Sequence, residues 1–321
     1  MPITYGGQKN VKALDVAFTI HTDVDSKFYD VKYPDYEYPE ILMPEQITEN
    51  INAGADTYAY QTRDANGTAA FIGNGPNADI PMVAQSTGAV SVPMAVSAVG
   101  FRITNEDARR FTFGFSADLA DTLGKAGRRA CENLVETSVI FGNDALGFRP
   151  WINYPGITRL NAPAGAGGGT PWSTKTPEEV TADIGYALNT QWQGTGKLFL
   201  GLDLYIPMEN YNLLVERPMV IGGVGVAQSI LSYLQANNLA AKLKGQLRIF
   251  PSRYLSNAGP GGTARMVLMD RDVENQAMPW PLDFTLSQPV PEPLAAAWYA
   301  EQKFGSYHIR QPGSMLYMDG I

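Results

Sequence analysis

The sequence has few of the side chains on which most enzyme chemistry depends. It contains one cysteine, Cys131, and two histidines, His21 and His308, far apart along the chain. A single cysteine excludes a disulfide within the chain. Zinc sites and histidine acid–base chemistry usually draw on more residues than these. We therefore predict no catalytic residue, no cofactor-binding residue and no metal ligand, in a protein that is not an enzyme.

Long apolar runs and basic clusters are also missing. No apolar stretch reaches the roughly 20 residues that cross a bilayer, and residues 1–10 lack the basic-then-apolar pattern of a signal peptide. The net charge is −8, and residues 1–60 hold ten acids against four Lys and Arg. A protein that reads nucleic-acid sequence normally carries a basic face. We expect a chain that is made in a cytoplasm, has no membrane partner and reads no base sequence.

Two motifs that suggest chemistry have plainer interpretations. Residues 222–229 read GGVGVAQS, which is glycine-rich like a phosphate loop but lacks the Lys-Ser/Thr that ends a Walker A motif. Asp270, Asp272 and Glu274 alternate and supply oxygens that a hard cation could use. However, Arg271 intervenes, and no glycine provides the sharp turn of a calcium loop. We predict a loop or a helix N-terminus at the first motif and a solvated or salt-bridged strand end at the second.

The first 50 residues do not have the pattern of an ordinary folded segment. Residues 33–40 read YPDYEYPE, and prolines at this density favour extended backbone. The interleaved tyrosines argue against plain disorder, because disordered chains are poor in aromatics. Two interpretations remain, a solvated flexible arm and an extended arm that docks on a neighbouring subunit.

A β-rich stretch follows over residues 55–103. Residues 57–62 are predicted as a strand, Asn66-Gly67 as a two-residue hairpin turn and residues 68–72 as the returning strand. Residues 80–102 are more strand-like sequence, with a turn near residues 86–88. Few large side chains are present to form a core beneath these strands. Because two-stranded ribbons are marginal alone in water, we expect this one to lean on another surface.

Residues 116–141 carry the strongest helix signal. Ser116 is a candidate N-cap, Asp118 suits the first turn, and Gly142-Asn143 supplies a stop. At 1.5 Å per residue the helix would be roughly 39 Å long. Apolar and small residues recur at spacings of three and four and predict one buried stripe: Leu119, Leu123, Ala126, Ala130, Leu134, Thr137 and Phe141.

A glycine-rich connector at residues 162–170 precedes a second unit. Thr176, Pro177 and Glu179 form a capping signal for a helix, and residues 197–206 alternate in the manner of a strand with one buried face. This alternation of helices and strands indicates an α/β or α+β domain. Further helices are predicted at residues 208–215 and 227–235, a helix or strand at 295–302, and strands at 246–250, 264–269, 307–310 and 315–318.

The order of these pieces resembles the Hong Kong 97-type fold of tailed-phage major capsid proteins. Several local sequences are similar to one subfamily: DIPMV at residues 79–83 with Val92-Pro93, ITNEDARR at 103–110, RRA at 128–130, FGN at 141–143 and LYMDGI at 316–321. Residues 148–153 depart from it, reading FRPWIN where relatives carry a Gly-Leu-Leu-Asn-like run.

The resemblance implies an α+β capsid fold with named parts. These are an N-terminal arm at residues 1–50, an E-loop hairpin at 51–105, a P-domain with a long spine helix at 106–176, an A-domain at 177–265 and return strands at 266–321.

It also implies a function in the virion. The chain would self-assemble into hexamers and pentamers of an icosahedral head shell around double-stranded DNA, which it would contact non-specifically on the inner face. Portal, scaffold and decoration proteins are possible further partners, and synthesis would occur in the cytoplasm of a bacterial host. Two alternatives stay open, an encapsulin-like nanocompartment shell and a soluble α/β enzyme or binding protein.

Overall fold

The computed structural model describes residues 31–69, 81–114 and 119–321. The chain separates into a short unit, Met1–Asp35, and a large unit, Tyr36–Ile321. Residues 31–35 of the short unit form no helix or strand, and the elements below belong to the large unit. The predicted cap at Ser116, with Asp118, and the end of the predicted strand 68–72 lie outside the described residues.

The helices and strands alternate along the chain, and 3-10 turns connect some of them. The helices are α1 (Tyr38–Ile41), α2 (Asn105–Gly114), α3 (Leu119–Phe141), α4 (Pro177–Gly194), α5 (Met208–Glu216), α6 (Ile230–Ala236) and α7 (Leu239–Leu243). The strands are β1 (Ile47–Thr48), β2 (Thr57–Asn66), β3 (Ala84–Thr104), β4 (Thr158–Asn161), β5 (Asp203–Pro207), β6 (Pro218–Ile221), β7 (Val224–Ser229), β8 (Arg248–Ser252), β9 (Arg265–Met269), β10 (Gln276–Pro279), β11 (Leu282–Leu286), β12 (Val290–Glu292), β13 (Ala295–Gly305), β14 (His308–Ile309) and β15 (Met315–Asp319).

A five-stranded mixed sheet in the order β4-β15-β9-β5-β8 carries the main core. Every residue of β5, β9 and β15 is buried. Two hydrophobic clusters lie on opposite faces of this sheet: Leu204 and Leu268 belong to one, and Tyr205, Val267 and Tyr317 belong to the other. Strands that are covered on both faces read as continuous apolar runs, which explains the composition of these segments.

The strand predicted over residues 197–206 is shorter and differently buried than its sequence suggests. It begins at Asp203, and Leu198 lies outside it with 74% of its surface exposed. The expected one-sided alternation is wrong, because β5 lies between β9 and β8 with apolar clusters on both of its faces.

The helix start predicted at Thr176 is confirmed. The Thr176 hydroxyl accepts a hydrogen bond from Glu179 N at 3.3 Å, and Glu179 Oε2 accepts one from Thr176 N at 2.8 Å. Pro177 occupies the first helical turn of α4. Satisfying these amides in both directions fixes where the helix begins. The predicted helix 208–215 is confirmed as α5. The helix predicted at 227–235 begins later, as α6 at Ile230, because residues 227–229 belong to the strand β7.

A second sheet has the order β11-β13-β3-β2, and α3 packs against one of its faces. Strands β13 and β3 pair antiparallel from Ala295 opposite Thr104 to Gly305 opposite Met94. The Gln302 side chain donates a hydrogen bond to Cys131 O at 3.1 Å, which ties this sheet to the middle of α3.

The buried stripe of α3 is not the predicted one. Gly127, Cys131, Val135 and Val139 are buried, whereas the predicted positions from Ala126 to Phe141 are exposed. The reason is close approach, because a Cβ at Gly127 would already touch Val99 Cγ1 at 3.4 Å. Small residues rather than large apolar ones mark the face that meets the sheet.

Residues 36–48 pack on the body of the unit. Ile41 and Leu42 are buried in the core cluster beneath the central sheet, and β1 pairs parallel with β10, with Ile47 opposite Met278. The prediction of an extended arm over residues 1–50 is therefore wrong for this part. Tyr38 packs within its own subunit, since the rings of Tyr38 and Trp280 lie 6.3 Å apart.

The hairpin is longer than predicted. Strand β2 pairs with β3 from Thr57 opposite Pro93 to Asn66 opposite Ala84, so residues 67–83 connect the strands. The two-residue turn at Asn66-Gly67 is therefore wrong, and so is the turn near residues 86–88. Gly88 lies within β3 opposite Thr62, where a Cβ would meet Thr62 Oγ1 at 2.9 Å. Glycine at this position permits close pairing and does not mark a bend.

Candidate assembly surface

The hairpin projects beyond the sheet that carries it. Residues 94–104 of β3 pair with β13, whereas residues 84–93 pair only with β2. The overhang is therefore about 33 Å long at ~3.3 Å per residue. Strand β2 also forms one edge of the sheet and leaves a row of backbone groups unpaired within the part of the subunit that the structure describes.

Both faces of the overhang are open. Residues 61–69 and 82–91 are all exposed, including Met82 at 85% and Val83 at 73%. An isolated two-stranded ribbon has at most marginal stability in water, and a free strand edge is a template for pairing with another chain. The ribbon therefore lacks a packing layer that its own subunit, as described, does not provide.

Aromatic packing anchors the root of the hairpin. Tyr58 and Tyr60 are half-buried and point to the body, and the Tyr60 ring stacks on His308 with centroids 5.1 Å apart. The Tyr58 ring lies 6.1 Å from His308, and the Arg310 guanidinium lies over Tyr60 at 5.4 Å. The alternating tyrosines thus hold the first residues of β2 against β14.

Three hydrogen bonds complete this anchor. Met94 N donates to Asp56 O at 3.0 Å, and Ser306 N donates to Pro93 O at 3.0 Å. The buried Lys303 ammonium donates to Ala53 O at 2.9 Å. The body thus fixes the direction of the hairpin at its root, although it leaves the outer half uncovered.

His308 sits in an environment that disfavours its charged form. Burial is the main cause that lowers its pKa to about 4, and the nearby Arg310 and Arg149 lower it further. Ser306 O faces Nδ1 at 3.5 Å and partly opposes the shift, whereas Nε2 has no partner among the described residues. We infer that the root is built around a neutral imidazole.

The low pKa of His308 predicts acid-sensitive stability. Between the unfolded pKa of about 6.5 and the folded pKa of about 4, the unfolded chain binds a proton that the folded chain does not. Stability therefore falls as the pH drops through this window. We expect His308→Gln to remove about 2 kcal/mol of this loss between pH 7 and pH 4.5, as measured by urea unfolding of the unassembled subunit.

The control for this experiment is to compare how steeply the free energy of unfolding changes with pH in the wild type and in the variant. Carboxylates titrate in the wild type and in the variant alike, so they cancel in the difference between the two pH profiles. Parallel profiles for the two proteins would show that His308 is not held neutral at the root.

A polar cluster fixes residues 36–41 to α3. The buried Glu136 Oε1 accepts hydrogen bonds from Arg253 at 2.6 Å and from the Tyr254 hydroxyl at 2.5 Å, and Glu136 Oε2 accepts one from Glu37 N at 3.1 Å. Burial, followed by the bond to Glu136, raises the pKa of Tyr254 to about 12. Burial also raises the pKa of Glu37, although Ser252 and Arg253 partly oppose the shift. These hydrogen bonds fix the first residues of the large unit, from residue 36 onward, against α3 and β8.

An apolar strip on α3 faces away from the subunit core. Leu134 is 45% exposed, and Ala126, Ala130 and Thr137 on the same side are also exposed. Contiguous exposed apolar surface commonly marks a contact with another molecule. The sequence pattern identified these residues as one stripe of the helix but wrongly predicted that the subunit core buries them.

One of the three alternating acids forms an ion pair, since Asp270 lies 2.5 Å from the Lys244 ammonium. Glu274 N donates a hydrogen bond to Asp272 Oδ1 at 3.2 Å. A further acid, Asp203 on β5, is fully buried between Arg248 at 2.5 Å and Arg271 at 2.9 Å. Within residues 31–69, 81–114 and 119–321, no group of three or more His, Cys, Asp or Glu could hold a metal ion.

The other candidates also have structural roles. Gly222 and Gly223, both with positive φ, join β6 to β7. Burial raises the pKa of the Cys131 thiol, which is the opposite of nucleophile activation. Among the described residues, no helix is long and apolar enough to span a bilayer.

Comparisons with known proteins agree with the arrangement. A family described as "Major capsid protein" matches residues 67–321. The capsid of Myoviridae phage XM1 has a TM-score of 0.73 at 12% identity, covering 94% of this chain and 97% of that one. A structure of Gordonia phage Cozz has a TM-score of 0.55 at 16% identity, covering 93% and 90%. The capsid of an empty GTA particle has a TM-score of 0.57 at 11% identity, covering 93% and 94%.

The family match extends over about four-fifths of the chain, and the structural likeness extends over nearly all of it. None of the curated proteins matches the chain. The family match favours a capsid protein over an encapsulin-like shell and over a soluble α/β enzyme. The chain belongs to the major capsid protein family, has the Hong Kong 97-type fold and is a head-shell protein of a tailed phage.

Proposed function

We propose that copies of this chain assemble, as hexamers and pentamers, into a closed icosahedral head around double-stranded DNA. The protein acts by assembly and not by catalysis. The observation that carries this proposal is the hairpin overhang, which is exposed on both faces although its root is rigidly anchored. Burial on an adjacent copy would give the ribbon its missing layer and would cover its free edge.

Each part of the fold then has a place in the shell. The hairpin, as the E-loop, overlies the adjacent subunit, and α3 forms the spine of the P-domain. The A-domain, predicted at residues 177–265, meets other copies at the capsomer centre. The arm predicted over residues 1–50 would contact a neighbour through its first 30 residues, which lie outside the described part of the chain. Extended connections of this kind provide the repeated heterologous contacts that a closed shell of one chain needs.

The charge of the chain suits a container for DNA. With a net charge of −8, the shell would contact the inner nucleic acid non-specifically. A strongly basic lining would bind phosphates tightly and oppose both packing and ejection. Portal, scaffold and decoration proteins are candidate partners of the finished virion head, and the chain is made in the cytoplasm of its bacterial host.

Electron microscopy of the purified full-length chain tests the proposal. We expect hollow particles of uniform diameter at high protein concentration or under crowding, together with a sedimentation boundary far above that of a 34.9 kDa chain. A compact monomer under every buffer condition, with a radius of gyration near ~20 Å, would contradict it. Filled heads from infected cells should contain double-stranded DNA, whereas an enzyme cargo would favour the nanocompartment alternative.

A further inference from the structure

The turn between β12 and β13 breaks a rule of local conformation. Glu292 pairs with Ala295, so Pro293 and Leu294 form a two-residue connection, and Leu294 has φ +63°. Proline fixes its own φ near −65°, which leaves a turn of the type II class with a positive φ at the second position. That position is normally glycine or asparagine, because a Cβ is strained there.

Leucine gains nothing at this position within its own subunit. Its side chain is 78% exposed, and Val290 on the adjoining strand β12 is also exposed. Two hydrogen bonds from neighbouring residues hold the turn in place. Asn105 N donates to Leu294 O at 2.9 Å, and Arg102 Nε donates to the side chain of Glu292, at Oε2, at 2.6 Å. A rigid turn therefore presents a large apolar side chain to solvent despite a conformational cost. Such violations of local rules are expected at functional positions.

The same chain carries an open apolar pocket. It has a volume of about 340 Å³ and lies between α3 and the strands β11 and β13. Gly124, Phe284, Leu286 and Trp298 supply its apolar wall. A Cβ at Gly124 would lie 3.8 Å from Leu286 Cδ2, so α3 and β11 approach each other closely at the pocket. Lys125 stands at its rim beside Asp121.

We propose that Leu294 of one copy inserts into the pocket between α3 and β11 of a second copy. The proposal rests on the proposed shell function and adds the contact surface. One copy supplies the projection and the other supplies the pocket, so the contact is heterologous, and repetition around an axis closes a ring. Leu294 and Leu286 are too far apart to contact each other within one chain. Leu286 lies opposite Ala300, five residues along β13 from Ala295, which is about 17 Å.

Cysteine cross-linking tests the contact directly. We expect particles of the double variant Leu294→Cys with Leu286→Cys to give, after mild oxidation, dimers and larger species on a non-reducing gel. Each single variant should stay monomeric there. A disulfide needs Cα atoms within about 7 Å, so a bond within one chain is excluded by the spacing above. The native Cys131 is buried and present in every variant.

The outcomes separate this inference from the shell function. If wild-type protein forms particles but the double variant does not cross-link within them, the pocket assignment is wrong. If Leu294→Cys alone cross-links, the turns meet one another and the assignment is also wrong. If the wild type forms no particles, it is the proposed function that fails.

Two substitutions at the turn provide a second measurement. Leu294→Gly relieves the backbone and removes the projection. We expect the melting temperature of the unassembled subunit not to fall, while the protein concentration needed for assembly rises about tenfold or more. Leu294→Met keeps an apolar side chain and should assemble near the wild-type concentration. Assembly of Leu294→Gly at the wild-type concentration would overturn the proposal.

Discussion

Replacing residues 63–87 with Asn-Gly is expected to abolish shell formation and to leave the melting temperature of the subunit within about 2 °C of the wild type. The replacement joins Thr62 to Gly88, which already face each other across the ribbon, through a turn suited to that spacing. The described residues 63–69 and 82–87 are exposed. Removing them therefore costs the body little buried apolar area, but it removes the surface that reaches the next copy.

Two readouts on the same preparation check this result. Circular dichroism during heating follows the body, and electron microscopy with sedimentation follows assembly. Particles of normal size and number from the shortened chain would show that the hairpin is not an intersubunit element. A large fall in melting temperature would show that the hairpin stabilises its own subunit.

Arg265→Ala is expected to lower the free energy of unfolding by about 3–5 kcal/mol. Arg265 and Asp319 lie opposite each other on β9 and β15, with Nε–Oδ1 at 2.5 Å and Nη2–Oδ2 at 2.9 Å. Both side chains are almost fully buried, and the remaining guanidinium nitrogen donates to Ile152 O at 2.6 Å. The variant leaves the Asp319 carboxylate buried without its cation. Urea unfolding of the subunit measures the loss.

The matched control removes both charges. Arg265→Met combined with Asp319→Leu keeps most of the volume and leaves no buried charge, so we expect it to regain most of the lost stability. A double variant as unstable as Arg265→Ala would show that the pair contributes through its exact geometry and not through charge compensation. If Arg265→Ala lowers the free energy of unfolding by less than about 1 kcal/mol, which is no more than many ordinary substitutions cost, the pair is not important for stability.

Local signals predicted those elements whose cause is local. The cap at Thr176 and the proline of the first turn fix α4, because the groups that satisfy its first amides lie within four residues. The capsid fold was instead indicated by a resemblance, which rests on the order of hairpin, long helix and mixed domain and on local sequences similar to one subfamily.

The sequence could not predict which face of α3 is buried. Large residues such as Leu134 usually mark a core, but here small residues at Gly127 and Cys131 let the sheet approach closely. An apolar side chain that is kept for another copy has the same pattern as one kept for the subunit core. In a self-assembling protein, periodicity alone does not distinguish these two destinations.

Long-range pairing explains the other differences. Asn66-Gly67 is a strong turn signal, but Asn66 is still paired with Ala84 of β3. The pairing of the two strands therefore outweighs the local preference for a turn. Residues 36–48 bind β10 and Ser252, elements more than 200 positions later in the chain. The orphan Nε2 of His308 and the strained Leu294 likewise become visible only when the fold brings their surroundings together.

Hydrogen exchange at residues 84–91 tests the central claim most directly, namely that the overhanging ribbon is covered by another copy. Amides of this segment should exchange quickly in dissociated subunits, since both faces of the ribbon are exposed there. In assembled shells the same amides should exchange at least about tenfold more slowly, while those of the buried strand β9 change little. Equal rates at residues 84–91 in the two states would contradict the account.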